Sequence, residues 1–247
     1  MLKTEQGCEA PLPKQAAFWN KWNKRVKEPD IGPLSTGQAQ VTASWLDKLG
    51  RSDLNIIDVG CGTGWLCETL THFGQVTATD LADEVVARAA QRVPSARFVA
   101  GDFMTLDFGS EKYDLVTSLE VLSHVADQRG FLSKIADILK PGGYLMLGTQ
   151  NRPALERNDI PPPGPGQIRH WIDRFELSRL LSERFEIQEL RSVTPQFNRG
   201  YLRYLNSYKL HSLFSRIGLG GVTRFVKERQ EKAWLGWTLM ALAKRSL

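Results

Sequence analysis

Between residues 55 and 147 the apolar positions fall in short bursts, and between the bursts they recur at helical spacing. NIIDVG reads as a buried strand, and WLCETLTHF as a helix with Trp65, Leu66, Thr69, Leu70 and Phe73 on one side. VTATD gives a second strand, and DEVVARAAQRV a helix stopped at Pro94, whose ring cannot continue the hydrogen-bond ladder. The alternation repeats through ARFVAGD, YDLVTSL, the helix RGFLSKIADILK with its stop at Pro141-Gly142-Gly143, and YLMLGTQ. Strands alternating with helices predict a parallel sheet covered by helices.

Beyond this block, RNDIPPPGPGQIRHW is too rich in proline for a helix or sheet and must be a loop, either a cover over the C-terminal sheet edge or a plain linker. Asp173 is placed to cap the helix DRFELSRLLSERF, with Glu176 closing a capping box. FEIQELRSV and GWTLMALAKR read as two further strands. Their antiparallel pairing completes an α/β, Rossmann-like, doubly wound sheet of seven strands, six parallel and one antiparallel. Two amphipathic helices, about YLRYLNSYKLHSLFSRI and VTRFVKERQEKAW, lie between them, the first with Leu202, Leu205, Leu210, Leu213 and Phe214 among basic residues. The expected organisation is a helical lid over residues 1–40, contributing one helix, KQAAFWNKWNKRV, and a domain over 41–247 with a helical insertion near 196–234.

Charge is uneven along the 247 residues. From Gln196 onward ten Lys and Arg stand against Glu228 and Glu231, a local +8 within a total of +5, which leaves −3 for the rest. A basic tail of this kind fits an anionic substrate, a membrane surface, RNA, or simply a solvated helical face. The first 18 residues carry charges and prolines where a signal peptide needs an apolar core, and the run AWLGWTLMALA is too short to cross a bilayer, so the expected location is cytoplasmic. Cys8, Cys61 and Cys67 form no CxxC pair and read as reduced thiols rather than a zinc or disulfide framework.

The candidate chemistry begins at the first strand-to-helix turn, where Gly60, Gly62 and Gly64 follow Asp58 and Asp80 stands 20 residues after Gly60. A dinucleotide fingerprint, GxGxxG, needs its last glycine where Trp65 stands. The spacing Asp58-Val59-Gly60-Cys61-Gly62-Thr63-Gly64 instead resembles motif I of class I S-adenosylmethionine-dependent methyltransferases. AGDFMTLDF, YDLVTSLEVLSHVAD and LKPGGYLMLGTQN resemble later motifs of that family in the same order. SLEVLSHVADQRGFLSKIADILKPGG is most similar to small-molecule enzymes of the ubiquinone-biosynthesis O-methyltransferase type. The tail resembles methyltransferases of polysaccharide and natural-product pathways, through NSYKLHSLFSRIG and the final strand.

The resemblance implies a cofactor site of Asp58, Gly60, Cys61, Gly62, Thr63, Gly64, Asp80, Leu81, Asp102, Phe103, Leu119, Glu120 and Trp22. It implies that Asp80 takes the ribose hydroxyls, that Asp102 faces the adenine amino group with Phe103 on the ring, and that the product is S-adenosylhomocysteine. The related enzymes carry a Glu-x-x-Glu-His set able to hold a divalent metal; here it reads Glu120, Ser123 and His124, one carboxylate short, and no metal is expected.

The methyl of the cofactor is already activated, so alignment with the nucleophile and exclusion of water carry most of the task, with a general base for a hydroxyl. His124 and His170 are the candidate bases, each with a structural alternative: loop-holding for His124, a surface or capping role for His170. His72 and His211 read as structural, and Trp19, Trp22 and Arg25 as an aromatic-basic lid over the cofactor. The expected function is transfer to a hydroxyl of a natural-product, quinone-like or sugar acceptor by a monomer or homodimer, with no DNA partner. Its rivals are a tRNA-modifying methyltransferase, marked by salt-sensitive RNA binding, and a non-catalytic cofactor-binding regulator, marked by the absence of turnover.

Overall fold

The computed structural model describes residues 10–28, 30–205 and 220–246. Its strands, β1 (Leu54–Val59), β2 (Gly74–Asp80), β3 (Arg97–Ala100), β4 (Tyr113–Leu119), β5 (Leu139–Gln150), β6 (Phe185–Val193) and β7 (Thr238–Arg245), form one sheet. The order is β3-β2-β1-β4-β5-β7-β6. β7 runs antiparallel to both β5 and β6 and every other pairing is parallel, the six-plus-one arrangement expected. The chain winds outward from β1 to β3 and then returns to β4 on the other side of β1. A crevice therefore opens at the C-terminal ends of β1 and β4, where ligands of such sheets bind.

Successive strand residues point to opposite faces, so a strand covered on both sides must be apolar throughout. Ile56 and Ile57 show the division. Ile57 joins Val116, Leu145, Phe131, Ile135 and Leu177 on one face, and Ile56 joins Leu115, Met146, Trp45, Leu46 and Leu70 on the other. Each fully buried side chain of this size contributes about 1.5–3 kcal/mol. The first face is covered by α5 (Gln128–Ile138) and α7 (Arg174–Leu181), the second by α2 (Gly32–Leu49) and α3 (Cys67–Thr71). On α7, Asp173 and Glu176 form the reciprocal capping box read from the sequence.

Three local expectations need correction. The leading section contributes two helices, α1 (Leu12–Trp22) and α2, and residue 40 falls inside the second. α2 buries Ser35, Gln38 and Thr42 beside Trp45 and Leu46, so its inner face carries no continuous apolar stripe. Trp65 does not open a helix. Positive φ at Gly60, Gly62 and Gly64 carries the chain through an irregular turn, and α3 starts only at Cys67. Lys140 to Gly143, expected as a helix end and loop, belong to β5, whose pairing with β4 shifts register between Tyr113 and Leu115.

α1 continues as one π-helical turn, Asn23–Lys27. It is fastened to α4 (Asp83–Arg92): Asn20 donates to Asp83 at 2.8 Å and accepts the Val85 N–H at 3.3 Å, and Glu28 pairs with Arg88 at 2.8 Å. Asn20 thereby satisfies one of the orphan donors at the start of α4, whose N-cap residue, Ala82, makes no side-chain cap. The proline-rich segment follows α6 (Arg152–Leu155) without helix or strand and lies directly on α1. A Cβ at Gly166 would stand 2.4 Å from the Lys14 carbonyl oxygen, so only glycine permits the contact. The described part of the tail consists of α8 (Leu202–Leu205) and α9 (Gly220–Lys232). Most of the first expected amphipathic helix, including Leu210, His211, Leu213 and Phe214, lies outside the described residues, as does Cys8.

Candidate active site

A cavity of about 820 Å³ fills the crevice. Its floor is the glycine turn. Thr79 O accepts the N–H groups of Gly60 (2.7 Å) and Cys61 (3.0 Å), and the Asp80 carboxylate accepts those of Gly62 (2.8 Å) and Ala82 (2.9 Å). A Cβ on Gly60 would lie 2.0 Å from Val121 Cγ2, and φ is +78° there, so the turn is closed to any other residue. Burial raises the Asp80 pKa, while the N–H groups of Ala82, Gly62 and Leu81 favour its ionised form. A carboxylate has about four lone-pair sites; the N–H groups of Gly62, Ala82 and Leu81 draw on them, and the remainder is available to a ligand diol.

Gly60, Cys61, Gly62, Asp80 and Leu81 line the cavity together, as do Asp102, Phe103, Leu119, Glu120, Trp22 and His124. Asp102 is fixed by the Met104 N–H at 3.0 Å, and Phe103 packs edge-on to Phe131, with 5.3 Å between ring centroids. Asp58, Thr63, Gly64 and His170 do not line it. Asp58 lies beneath the turn, accepting from Thr117 Oγ1 at 2.7 Å and Cys67 Sγ at 3.7 Å, and burial pushes its pKa to about 6. Thr63 is buried and gives its carbonyl to Arg92 at 3.0 Å; Gly64 abuts Ala89 and Phe98. His170 acts through its backbone, donating to Ser123 O at 2.7 Å and accepting from Gln128 at 3.0 Å.

His124 joins three elements. Its Nδ1 lies 2.7 Å from the Ile168 carbonyl in the proline-rich segment, its ring centroid 4.7 Å from that of Trp19 on α1, and it sits just after β4. A carbonyl can only accept, so Nδ1 carries the proton and Nε2 keeps a lone pair. Burial, with a smaller push from Arg169, lowers the pKa to about 4 and keeps the ring neutral at physiological pH.

Glu120 holds φ at +65°, a conformation that costs a non-glycine residue energy and that clusters at working sites. Gln38 and Thr238 both donate to its Oε1 at 2.7 Å. Burial raises its pKa, opposed by the hydrogen bonds from Thr238, Gln150 and Gln38 and by the Lys27 charge. Lys27 also lines the cavity, donating to Ile31 O at 3.1 Å and to Ser35 Oγ, which leaves one of its three N–H groups for a ligand. Burial lowers its pKa, and Glu120 and Asp30 pull the other way. Arg25, expected with Trp19 and Trp22 in the lid, is exposed and does not line the cavity; Trp19, Trp22, Asn23, Val26 and Lys27 do. Spacings of three and four residues from Trp19 would have identified Lys27. No such periodicity marks Gln38, Gln150, Gln196 or Trp237, which converge on the cavity from distant elements.

The metal set remains one carboxylate short. Ser123 is fully buried with its hydroxyl unpartnered, and His124 commits Nδ1 to a loop carbonyl, a poor match for a hard divalent cation. Among the described residues no group of three or more His, Cys, Asp or Glu side chains is placed to hold a metal. Burial pushes both Cys61 and Cys67 thiols well up, so they are inert packing groups.

Residues 57–147 match the protein family described as a methyltransferase domain. A curated relative, the ubiquinone biosynthesis O-methyltransferase of Xanthomonas axonopodis pv. citri, is 34% identical over 158 residues, covering 61% of this chain and 64% of the relative. The enzyme of the same name from Rhodopseudomonas palustris is 36% identical over 56% of this chain and 58% of its own length. The alignments thus span less than two thirds of these relatives. Among solved structures, an S-adenosylmethionine-dependent methyltransferase from Mesorhizobium loti superposes with a TM-score of 0.58 at 21% identity, over 82% of this chain and 98% of that one. A chain from the complex of the Haloferax volcanii Trm112 methyltransferase activator with a methyltransferase gives 0.63 at 16% identity, over 98% and 100%. Sheet order and glycine turn agree with the family match, which gives residues 57–147 as a methyltransferase domain.

Proposed function

We propose that the protein transfers a methyl group from S-adenosylmethionine to a hydroxyl of a small metabolite. The observation that carries this reading is the convergence of Asp80, Asp102-Phe103 and the Gly60–Gly62 turn on one cavity. A backbone-fixed carboxylate suits a ribose diol, an acid beside an aromatic ring suits adenine, and a turn without a phosphate cradle suits the amino-acid end. When bound, the cofactor supplies an activated sulfonium methyl.

The chain's own residues divide the remaining work. Lys27 offers its free N–H to the methionine carboxylate. α1 and the proline-rich segment exclude water as a lid and cover, held together by the Gly166 contact and His124. The second half of the cavity, bounded by Glu120, Gln150, His124, Ile168 and Trp237, receives the acceptor. Its mixed aromatic and polar wall suits a hydroxylated ring. In this reading His124 Nε2, whose lone pair the Nδ1 bond to Ile168 leaves free, takes the hydroxyl proton as the oxygen attacks, with Glu120 orienting the acceptor through a hydrogen bond. The similarity to ubiquinone biosynthesis O-methyltransferases supports oxygen as the nucleophile.

The test is mass spectrometry of what copurifies with the full chain, followed by turnover assays on hydroxylated aromatic, quinol and sugar panels with labelled cofactor. Cofactor binding without methyl transfer to any panel would return the protein to the regulator reading. Removal of residues 1–30 is expected to weaken cofactor binding and spare the sheet; unchanged affinity would dismiss the lid.

A further inference from the structure

Among the described residues, the exposed large apolar side chains fall into two groups. Leu12, Val26, Ile31 and Met104 line the cavity, and ligand binding accounts for them. The other five, Phe175, Tyr201, Tyr204, Val222 and Phe225, serve no such purpose. They belong to the start of α7 and to the α8–α9 region, where the chain is most basic.

Arginines lie over three of these rings: Arg174 over Phe175 at 4.5 Å, Arg203 over Tyr204 at 4.6 Å and Arg229 over Phe225 at 4.8 Å. Arg174 also lies 4.6 Å from the Trp234 ring, just past the end of α9, and so ties α7 to α9 in one strip. From Val222 to Trp234 the strip runs about 18 Å at 1.5 Å per residue. The acidic residues of α9 do not cancel its charge. Glu231 turns inward to accept the Thr194 N–H at 3.0 Å and approaches Lys227 at 3.8 Å. Arg224, Arg229 and Lys232 stay exposed, with Glu228 the single exposed acid on the helix.

We propose that this strip, centred on Val222, Phe225, Arg224 and Arg229, docks the protein onto an anionic membrane surface. Exposed rings on a helix rich in basic groups suit the boundary between headgroups and acyl chains, the rings entering the apolar layer while the guanidinium groups meet lipid phosphates. RNA would engage the charge but gives Val222 no role. The docking is peripheral: among the described residues no helix is long and apolar enough to cross a membrane.

The full-length protein is sedimented with vesicles of phosphatidylcholine alone and of equal parts phosphatidylcholine and phosphatidylglycerol. It is expected to bind the second and not the first, with affinity falling as salt rises. The double variants Val222→Ser/Phe225→Ser and Arg224→Glu/Arg229→Glu should each reduce that binding at least tenfold while leaving S-adenosylhomocysteine affinity unchanged, which shows the fold intact and tests the surface apart from the active site. Absent binding to anionic vesicles, or binding indifferent to the Val222/Phe225 change, overturns the proposal. So does a preference for tRNA over the vesicles in direct competition.

Discussion

Replacing Asp80 by Asn isolates the cofactor reading in a single atom exchange. The wild-type carboxylate accepts the Gly62 N–H on Oδ2 and the Ala82 N–H on Oδ1, and it lines the cavity. An asparagine keeps one acceptor oxygen and presents an NH2 group where the second was, so either a backbone N–H or the ligand diol meets a donor. Loss of one hydrogen bond to a charged acceptor costs about 1.5–3 kcal/mol, or roughly 10- to 150-fold in Kd. Calorimetric titration with S-adenosylhomocysteine measures it, and urea denaturation separates affinity from fold. A Kd within about threefold of wild type, with the fold intact, would refute the placement of the ribose at Asp80.

Lys27→Met should weaken S-adenosylhomocysteine by roughly tenfold or more and leave 5′-methylthioadenosine, which has no carboxylate, unaffected; equal losses on both would assign Lys27 to packing. His124 is held near pKa 4 in the fold against 6.5 for a free side chain, so its stabilising contribution is full above pH 6.5 and is lost as pH falls through 4. Worked through, the shift gives about 3 kcal/mol between those limits. His124→Gln should remove that increment from the pH dependence of urea unfolding. Asp58 acts in the opposite sense, with a cost that sets in as pH rises from 3.8 to about 6, so wild type should look flatter than either single variant. Gly60→Ala adds a methyl 2.0 Å from Val121 at φ +78° and should cost both stability and cofactor affinity; a normal Kd by calorimetry would show that the turn yields.

The sheet was legible because its central strands are covered on both faces, which turns burial into unbroken apolar runs such as NIIDVG and YDLVTSL. The α7 capping box was legible for a local reason, two side chains three residues apart. α2 was not, because Ser35, Gln38 and Thr42 face inward where a helix normally shows apolar residues, and Gln38 is there for Glu120 and Thr238, 82 and 200 positions away. Motif spacing placed Asp58, Thr63 and Gly64 in the site with their neighbours, yet the turn divides them. Gly60 and Gly62 face the cavity, while Asp58 and Gly64 support it from behind. Lys27 escaped notice because Arg25, two residues earlier, supplied a more obvious cation on the wrong side of the helix.

β7 lies between β5 and β6 although it is made last of the seven. During synthesis, β1 through β5 can assemble and expose the glycine turn while β6 still has no neighbour to pair with. The nascent sheet therefore carries an open β5 edge, and a free β6 segment, until residues 238–245 have left the ribosome. At about 5–20 residues per second the β5 edge stays open for roughly 5–20 s. In that window a chaperone, or a second nascent chain offering its own strand, competes for the same edge. The last strand thus acts as the latch on biogenesis, and substitutions within it should lower the yield of folded protein before they alter the chemistry of the finished site.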